Sequence, residues 1–239
     1  LNLWEGRGEH PAYNPKQAAA ALSGHLDQDG FLDCARAFAE RFYARRTPPG
    51  CAWFIDKTPL YLQIAPVLPR LLPRARFIVL GRDPRGLVWS RHTWKHSDST
   101  DATRLFGGAA RDLARLASFA TDFADRSIVV RYEDLCAEPE SCARRLCEWL
   151  GIGFEPAMID YGCHRHHEGY GDEKTHQHSR PHADSIDRWR EGLTIDQQRA
   201  LIEACEAAGP GSLAKLGYED LLSERPSDSG DNAARGAAA

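Results

Sequence analysis

Arg82 and Ser90 are the residues of this chain whose types and spacing most clearly indicate chemistry. Arg82 comes just after a buried strand predicted at residues 76–80, and Ser90 lies two turns into a helix predicted to begin near Asp83 and Pro84. In an open α/β sheet, a guanidinium at the carboxyl end of a buried strand and a hydroxyl on the next helix can together bind a phosphate. The sequence therefore predicts a phosphorylated ligand held by Arg82 and Ser90.

Ordinary structural roles compete with this interpretation. Arg82 would then form an ion pair with Asp83 or Glu133, and Ser90 would only pack on its helix. Arg85 has two readings as well, an additional phosphate contact or a solvated surface charge. The sequence leaves these alternatives open.

The elements that must position Arg82 alternate between strand and helix. We predict strands at residues 52–55, 76–80 and 127–131, with a proline-punctuated helix after Thr58 and a long helix at residues 101–124 between them. Strands separated by helices form a parallel sheet with right-handed crossovers. Further helices are predicted from Pro139 to residue 150 and, after a capping box at Thr194, to residue 207. The predicted fold class is α/β.

The amino-terminal part is predicted to be helical. Asn14 and Pro15 have the types expected for a cap and first helical position, opening a helix to Leu22. A second helix carries apolar residues at helical spacing, which predicts that this stripe packs into the core. The stripe comprises Phe31, Leu32, Ala35, Phe38, Ala39 and Phe42.

Composition indicates a soluble globular enzyme domain. The chain has 239 residues, 42% of them hydrophobic, with a net charge of -4, which gives no global nucleic-acid signature. No apolar run is long enough to cross a membrane. Seven cysteines without regular spacing favour reduced thiols and a cytoplasmic location. We predict one domain at residues 1–222 and a disordered tail at residues 223–239; frequent Ala and Arg hint at a bacterial source.

Several motifs together resemble the sulfotransferases that use 3′-phosphoadenosine 5′-phosphosulfate (PAPS). Asp56-Lys57-Thr58-Pro59 comes first, then Arg82 with Ser90, residues 130–135, Gly171-Asp172, and Arg188-Trp189-Arg190. The resemblance covers residues 50–220 and is most similar to the bacterial and tyrosylprotein-type branch. It implies a three-layer fold like that of P-loop NTPases, with a central parallel sheet flanked by helices. It also implies transfer of a sulfuryl group from PAPS to a hydroxyl or amine.

The resemblance assigns binding roles to four residues. It implies that Arg82 and Ser90 clamp the 3′-phosphate of PAPS and that Tyr132 contacts the nucleotide. The alternative for Tyr132 is an ordinary aromatic residue at the end of a strand, without a binding role. Arg188 is implied to reach a phosphate from a mobile segment that closes over the nucleotide, or else to form a structural salt bridge.

Catalytic roles follow from the same resemblance. Lys57 is the implied cation beside the bridging oxygen, because sulfuryl transfer needs stabilisation of charge on the departing oxygens. Asp56 would orient Lys57 or, in the interpretation we favour, cap the helix after Thr58. Glu5 matches the approximate position of the base in the tyrosylprotein-type branch, and His92 and His96 are alternative bases.

The phosphosulfate-binding loop with which the family opens has no counterpart in this sequence. In the family it follows a strand and precedes a helix, whose backbone amides bind the 5′-phosphosulfate. The chain starts at Leu1 without Met, so we expect a fragment that begins after the loop. The alternative is a non-catalytic module that binds a nucleotide or partner. A nucleoside or sugar kinase is disfavoured because no Walker-type loop accompanies Arg82.

A histidine-rich segment precedes the Arg188 motif. Its residues are suitable ligands for zinc, but their spacing matches no familiar closed site, so we predict no metal and favour a polar, pH-sensitive lid. They are Cys163, His164, His166, His167, His176, His178 and His182. The sequence leaves the acceptor open among small molecules, carbohydrates, lipids and peptides. It also leaves open whether the protein forms a homodimer.

Overall fold

The computed structural model describes residues 24–25, 27–93, 102–163 and 178–223. The chain forms two compact units, residues 1–75 and residues 76–239. Some predictions lie outside the described residues, and these are the helix at residues 14–22, Glu5, His96, Gly171-Asp172 and the tail after residue 223. The single domain at residues 1–222 also stays a prediction.

The first unit is built on α1 (Gln28–Arg46), which begins where Asp27 accepts a 2.8 Å hydrogen bond from the Gly30 amide. A 3₁₀ segment (Pro59–Ile64) and the short α2 (Leu68–Leu71) follow. Arg36 on α1 donates to the Arg70 carbonyl at 2.8 Å. A carbonyl at a helix end has no partner within its helix, so Arg36 both satisfies it and fastens α2 to α1.

The predicted core stripe on α1 is wrong for its three phenylalanines. Leu32 is 6% exposed, but Phe31, Phe38 and Phe42 are 48%, 69% and 49% exposed. On the helix the three phenylalanines lie along a line next to the line through Leu32 and Arg36. Helix α2 covers the line through Leu32 and Arg36. Periodicity identified an apolar face but not how much of it another element would cover.

The strand predicted at residues 52–55 is also wrong. Within the described part of the first unit this segment has no sheet partner, and Ile55 is 72% exposed. Asp56 does not cap the helix that follows, because the N-cap residue is Thr58, without a side-chain hydrogen bond. The Asp56 carboxylate instead accepts from the hydroxyls of Tyr43, at 2.6 Å, and Tyr61, at 2.5 Å.

The second unit contains two parallel strands, β1 (Phe77–Gly81) and β2 (Ser127–Arg131). They pair in continuous register from Phe77 with Ser127 to Gly81 with Arg131. Between them lie α3 (Pro84–His92) and α4 (Ala102–Asp122). This arrangement confirms the predicted α/β class and the predicted parallel pairing of these two strands.

Five further helical segments belong to the second unit. They are α5 (Tyr132–Ala137), α6 (Pro139–Leu150), α7 (Ile195–Ala208), α8 (Ser212–Lys215) and the 3₁₀ segment Arg188–Glu191. Two of them, α6 and α7, lie close to the positions predicted from the sequence. Helix α6 ends at Gly151, whose φ of 72° is left-handed and suits a residue without Cβ. The capping box predicted at Thr194 is present, with Gln197 as its reciprocal partner.

The core of this unit lies where α4 meets β1, α7 and α8. Leu113 on α4 is fully buried, as are Leu201 on α7 and Leu213 on α8. The rings of Phe119 and Phe77 meet edge to face at 5.1 Å and so fasten α4 to β1. Helix α4 therefore supports the strand that directly precedes Arg82.

Six cysteines are free thiols: Cys34, Cys51, Cys136, Cys142, Cys147 and Cys205. Cys142 and Cys147 are 5% and 6% exposed on α6, where they pack as small apolar residues. Among the described residues, no helix has the length and apolar character needed to cross a membrane.

Candidate functional site

The strand register determines which residues meet beyond the sheet. Gly81 pairs with Arg131 as the final residues of β1 and β2. The next residues along the two strands are Arg82 and Tyr132, and Asp83 and Glu133 follow them. Parallel strands end at one edge of a sheet, where open α/β folds bind their ligands. Arg82 contacts Tyr132, and Asp83 contacts Glu133.

Arg82 is held by an aromatic ring and a backbone carbonyl. Its guanidinium carbon lies 4.3 Å from the centre of the Tyr132 ring, and its Nη2 donates to the Ser185 carbonyl at 3.1 Å. Its Nε is buried and has no hydrogen-bond partner among the described residues. A buried donor without a partner is costly, so the Arg82 Nε is an unsatisfied donor at the end of β1.

The ion pairs considered for Arg82 are not formed within the described part of the chain. Asp83 pairs with Arg85 instead, with 2.7 Å between Oδ2 and Nη2. Glu133 accepts from the Asp83 backbone amide at 3.0 Å. Both carboxylates are therefore committed to other donors, and the positive charge of Arg82 is left without a described acidic partner.

Ser90 lies in the last turn of α3, the helix that begins two residues after Arg82. It is exposed, and no described residue forms a hydrogen bond with its hydroxyl. The predicted arrangement of a strand-end arginine followed by a helical serine is confirmed; their shared role in binding stays a prediction.

Arg85 is neither a solvated charge nor a free phosphate ligand. The residue is 7% exposed, and its guanidinium carbon lies 3.9 Å from the centre of the Trp189 ring. The carboxylate of Asp83 holds the guanidinium through Nε and Nη2. This buried pair fixes the first turn of α3 against the segment Arg188–Glu191.

Tyr132 has a second contact besides Arg82. Its hydroxyl lies 2.8 Å from the Ser185 hydroxyl. Burial raises the pKa of Tyr132 above its usual value, so the ring stays neutral at physiological pH. Sequence reasoning missed Ser185, which nothing in its local pattern distinguishes, and named Trp189 only as part of a motif.

Three of the remaining predicted residues are described and exposed, namely Lys57, His92 and Arg188. Arg188 is exposed and has no described hydrogen-bond or ion-pair partner, so the salt bridge considered for it is not seen there. Lys57 is exposed in the first unit. His92 is exposed at the end of α3, with its ring 5.7 Å from that of Trp89.

Two histidines of the histidine-rich segment are described, His178 and His182. The rings of His178 and His182 lie 3.8 Å apart, and His182 Nδ1 is 3.3 Å from Asp184. No group of three or more His, Cys, Asp or Glu side chains in the described ranges is arranged to hold a metal. His164, His166, His167 and His176 lie outside those ranges.

The chain belongs to the sulfotransferase family, whose family model matches residues 6–156. Carbohydrate sulfotransferase 1 of Danio rerio is 28% identical over 65% of this chain and 40% of its own length. Protein-tyrosine sulfotransferase 1 of the same species is 25% identical over 80% of this chain and 55% of its own length. The chain thus spans about half the length of these relatives or less.

A solved structure supports the fold. The sulfotransferase domain of the Synechococcus PCC 7002 olefin synthase superposes with a TM-score of 0.53 at 22% identity, covering 81% of this chain and 70% of that one. This likeness confirms the α/β architecture implied by the resemblance.

Proposed function

We propose that the protein transfers a sulfuryl group from PAPS to a hydroxyl or amine of an acceptor molecule. Family membership supports the reaction class. Arg82 carries the proposal for the donor, because a partly buried guanidinium without a described acidic partner stands at the carboxyl end of a parallel strand. In this proposal Arg82 and Ser90 bind the 3′-phosphate of PAPS.

The proposed reaction moves one group and one proton. The acceptor oxygen or nitrogen attacks sulfur, and the bond from sulfur to the bridging oxygen breaks. Adenosine 3′,5′-bisphosphate leaves, and a base takes the proton of the acceptor. Lys57 remains our proposed cation for the departing oxygen and Glu5 our proposed base, both on the strength of the resemblance.

Tyr132 and Arg188 complete the proposed nucleotide site. An aromatic ring already stacked under a guanidinium limits the orientations of Arg82, which lowers the entropic cost of binding. Arg188 is exposed on the segment that packs against Arg85 and would add a second cation.

We propose a carbohydrate or tyrosyl hydroxyl as the acceptor. The support comes from the names of the similar proteins, a carbohydrate sulfotransferase and a protein-tyrosine sulfotransferase. A small molecule or a lipid would use the same chemistry. A cytoplasmic location also stays a proposal.

Calorimetric titration tests the donor site. We expect adenosine 3′,5′-bisphosphate to bind more tightly than adenosine 5′-monophosphate. Arg82→Ala should weaken the bisphosphate by roughly 10- to 100-fold, since a charge-assisted hydrogen bond is lost. Arg199→Ala is the matched control, because it removes one exposed positive charge on α7. Equal binding of the two nucleotides by the folded wild type would contradict the proposal.

Sulfate transfer from radiolabelled PAPS to carbohydrate and tyrosyl-peptide acceptors then tests turnover. Labelled acceptor that is formed by the wild type but not by Arg82→Ala would support sulfotransferase activity. Nucleotide binding without any transfer would support the donor site but contradict turnover by this chain.

A further inference from the structure

Glu133 divides its carboxylate between two elements of the second unit. Its Oε1 accepts from the backbone amide of Asp83 at 3.0 Å, and its Oε2 accepts from the hydroxyl of Tyr218 at 2.7 Å. Glu133 lies in the first turn of α5, directly beyond β2. One side chain thus connects the turn after β1 to the carboxyl-terminal part of the chain.

The Asp83 amide belongs to the peptide group that joins Arg82 to Asp83. Its hydrogen bond therefore fixes the backbone immediately after Arg82. The Asp83 side chain cannot replace this acceptor, because it is occupied by the amide and guanidinium of Arg85. A buried amide requires an acceptor, and Glu133 provides it.

Tyr218 orients Glu133 from a rigid position. Tyr218 is 1% exposed, and a Cβ built on Gly81 would lie 3.4 Å from its ring. The guanidinium carbon of Arg131 lies 4.7 Å from the centre of the same ring. The ring thus packs against the ends of both β1 and β2, and its hydroxyl donates to one carboxylate oxygen of Glu133.

We propose that Glu133 and Tyr218 are positioning residues for Arg82. Tyr218 orients the Glu133 carboxylate, Glu133 holds the turn at Asp83, and the turn aims the Arg82 guanidinium at the 3′-phosphate. Neither residue is assigned a contact with the ligand. This inference rests on the proposed function, because it presumes that Arg82 binds that phosphate.

The test compares stability with selectivity. Selectivity is the ratio of the affinities for adenosine 3′,5′-bisphosphate and adenosine 5′-monophosphate, measured by calorimetry on Glu133→Ala, Glu133→Gln and Tyr218→Phe. We expect Glu133→Ala to lower the ratio about tenfold, since small displacements of a binding group are costly. Tyr218→Phe retains the packed ring and should lower the ratio by a smaller factor.

Glu133→Gln separates position from charge. The carbonyl oxygen of the glutamine side chain can still accept from the Asp83 amide, and its carboxamide NH₂ can donate to the Tyr218 hydroxyl. We therefore expect a ratio near that of the wild type. Thr194→Ala is the control, because it removes a cap of α7 and lowers stability without altering the turn.

The outcomes distinguish this inference from the function beneath it. A wild type that does not prefer the bisphosphate contradicts the proposed function, and the inference with it. If the wild type prefers the bisphosphate through Arg82 but folded Glu133→Ala keeps the full ratio, only the inference is overturned. If Glu133→Ala does not fold, an unchanged ratio in folded Tyr218→Phe overturns it.

Discussion

Asp83 and Arg85 form a buried ion pair at the start of α3, with 2.7 Å between carboxylate and guanidinium. Asp83 also caps the helix by accepting from the Arg85 amide at 2.8 Å. The Arg85 guanidinium also lies over the ring of Trp189, with 3.9 Å between its carbon and the ring centre. Three consecutive residues, 83 to 85, thus fold a tight turn directly after Arg82.

Arg85→Ala is expected to destabilise the protein strongly. The substitution leaves the Asp83 carboxylate buried without its cation, which typically costs about 3–5 kcal/mol. Urea unfolding at neutral pH measures the loss. Arg144→Ala is the control, because its i,i+4 pair with Glu140 is more than half exposed on both sides and should contribute under about 1 kcal/mol. Equal losses in the two variants would contradict the role given to burial.

Tyr132 is expected to act on nucleotide binding through its ring. Tyr132→Phe retains the surface under Arg82 and loses the contact with Ser185, so bisphosphate affinity should change less than about fivefold. Tyr132→Leu removes the cation–π contact, worth about 0.5–2 kcal/mol, and should weaken binding more. Calorimetry of both variants measures the difference.

A matched aromatic provides the control for Tyr132. The guanidinium carbon of Arg144 lies 4.2 Å from the centre of the Phe154 ring, away from the Arg82 turn. Phe154→Leu removes the same type of contact and should leave binding unchanged. A similar loss of affinity in Phe154→Leu would show that the effect of Tyr132→Leu is not local.

The sequence was sufficient to predict elements whose signals are local. The strand β2 and the helix α6 have the predicted bounds, because an apolar run and Pro139 define them. The predicted strand at residues 52–55 fails for the opposite reason. An apolar run carries no information about whether a neighbouring strand is available, and in the described residues none pairs with it.

The candidate site was predictable to a similar extent. Arg82, Ser90 and Tyr132 could be named because each follows or occupies a recognisable element. The contact from Arg82 to Ser185 spans 103 residues, and no local pattern announces it. Glu133 was considered as a partner of Arg82, but the in-register pairing of β1 and β2 brings it to the Asp83 amide instead.

Gly192 is expected to tolerate no side chain. A Cβ built there would lie 1.9 Å from the ring of Trp89, so either the ring or the backbone must move. Gly192→Ala should cost about 1–3 kcal/mol, the usual range for overpacking, measured by urea unfolding. Gly153→Ala is the control, because nothing lies within 4 Å of its added Cβ.

A second substitution tests the cause of the Gly192 effect. On a Trp89→Ala background the obstructing ring is absent, so Gly192→Ala should cost much less than in the wild type. The double-mutant cycle then gives a coupling free energy between the two positions. Additive losses would mean that the Trp89 ring is not what excludes a side chain at residue 192.

Cys205 is expected to make the protein less stable in alkali. The residue is fully buried on α7, and burial raises the pKa of its thiol to about 12, assisted by the charges of Glu206 and Asp83. An unfolded thiol ionises near pH 8.5. Between that pH and about 12, the unfolded state binds fewer protons than the folded state, so the free energy of unfolding falls as pH rises.

The contribution of Cys205 should appear as a slope. A single proton difference corresponds to about 1.4 kcal/mol per pH unit, so Cys205→Ala should flatten the decline in the free energy of unfolding between pH 9 and 11 by about that amount. Urea unfolding in the presence of a reductant, at half-unit steps of pH, measures both slopes. Cys34→Ala removes an exposed thiol on α1 and serves as the control. Parallel curves for wild type and Cys205→Ala would mean that the Cys205 thiol does not produce the alkaline loss.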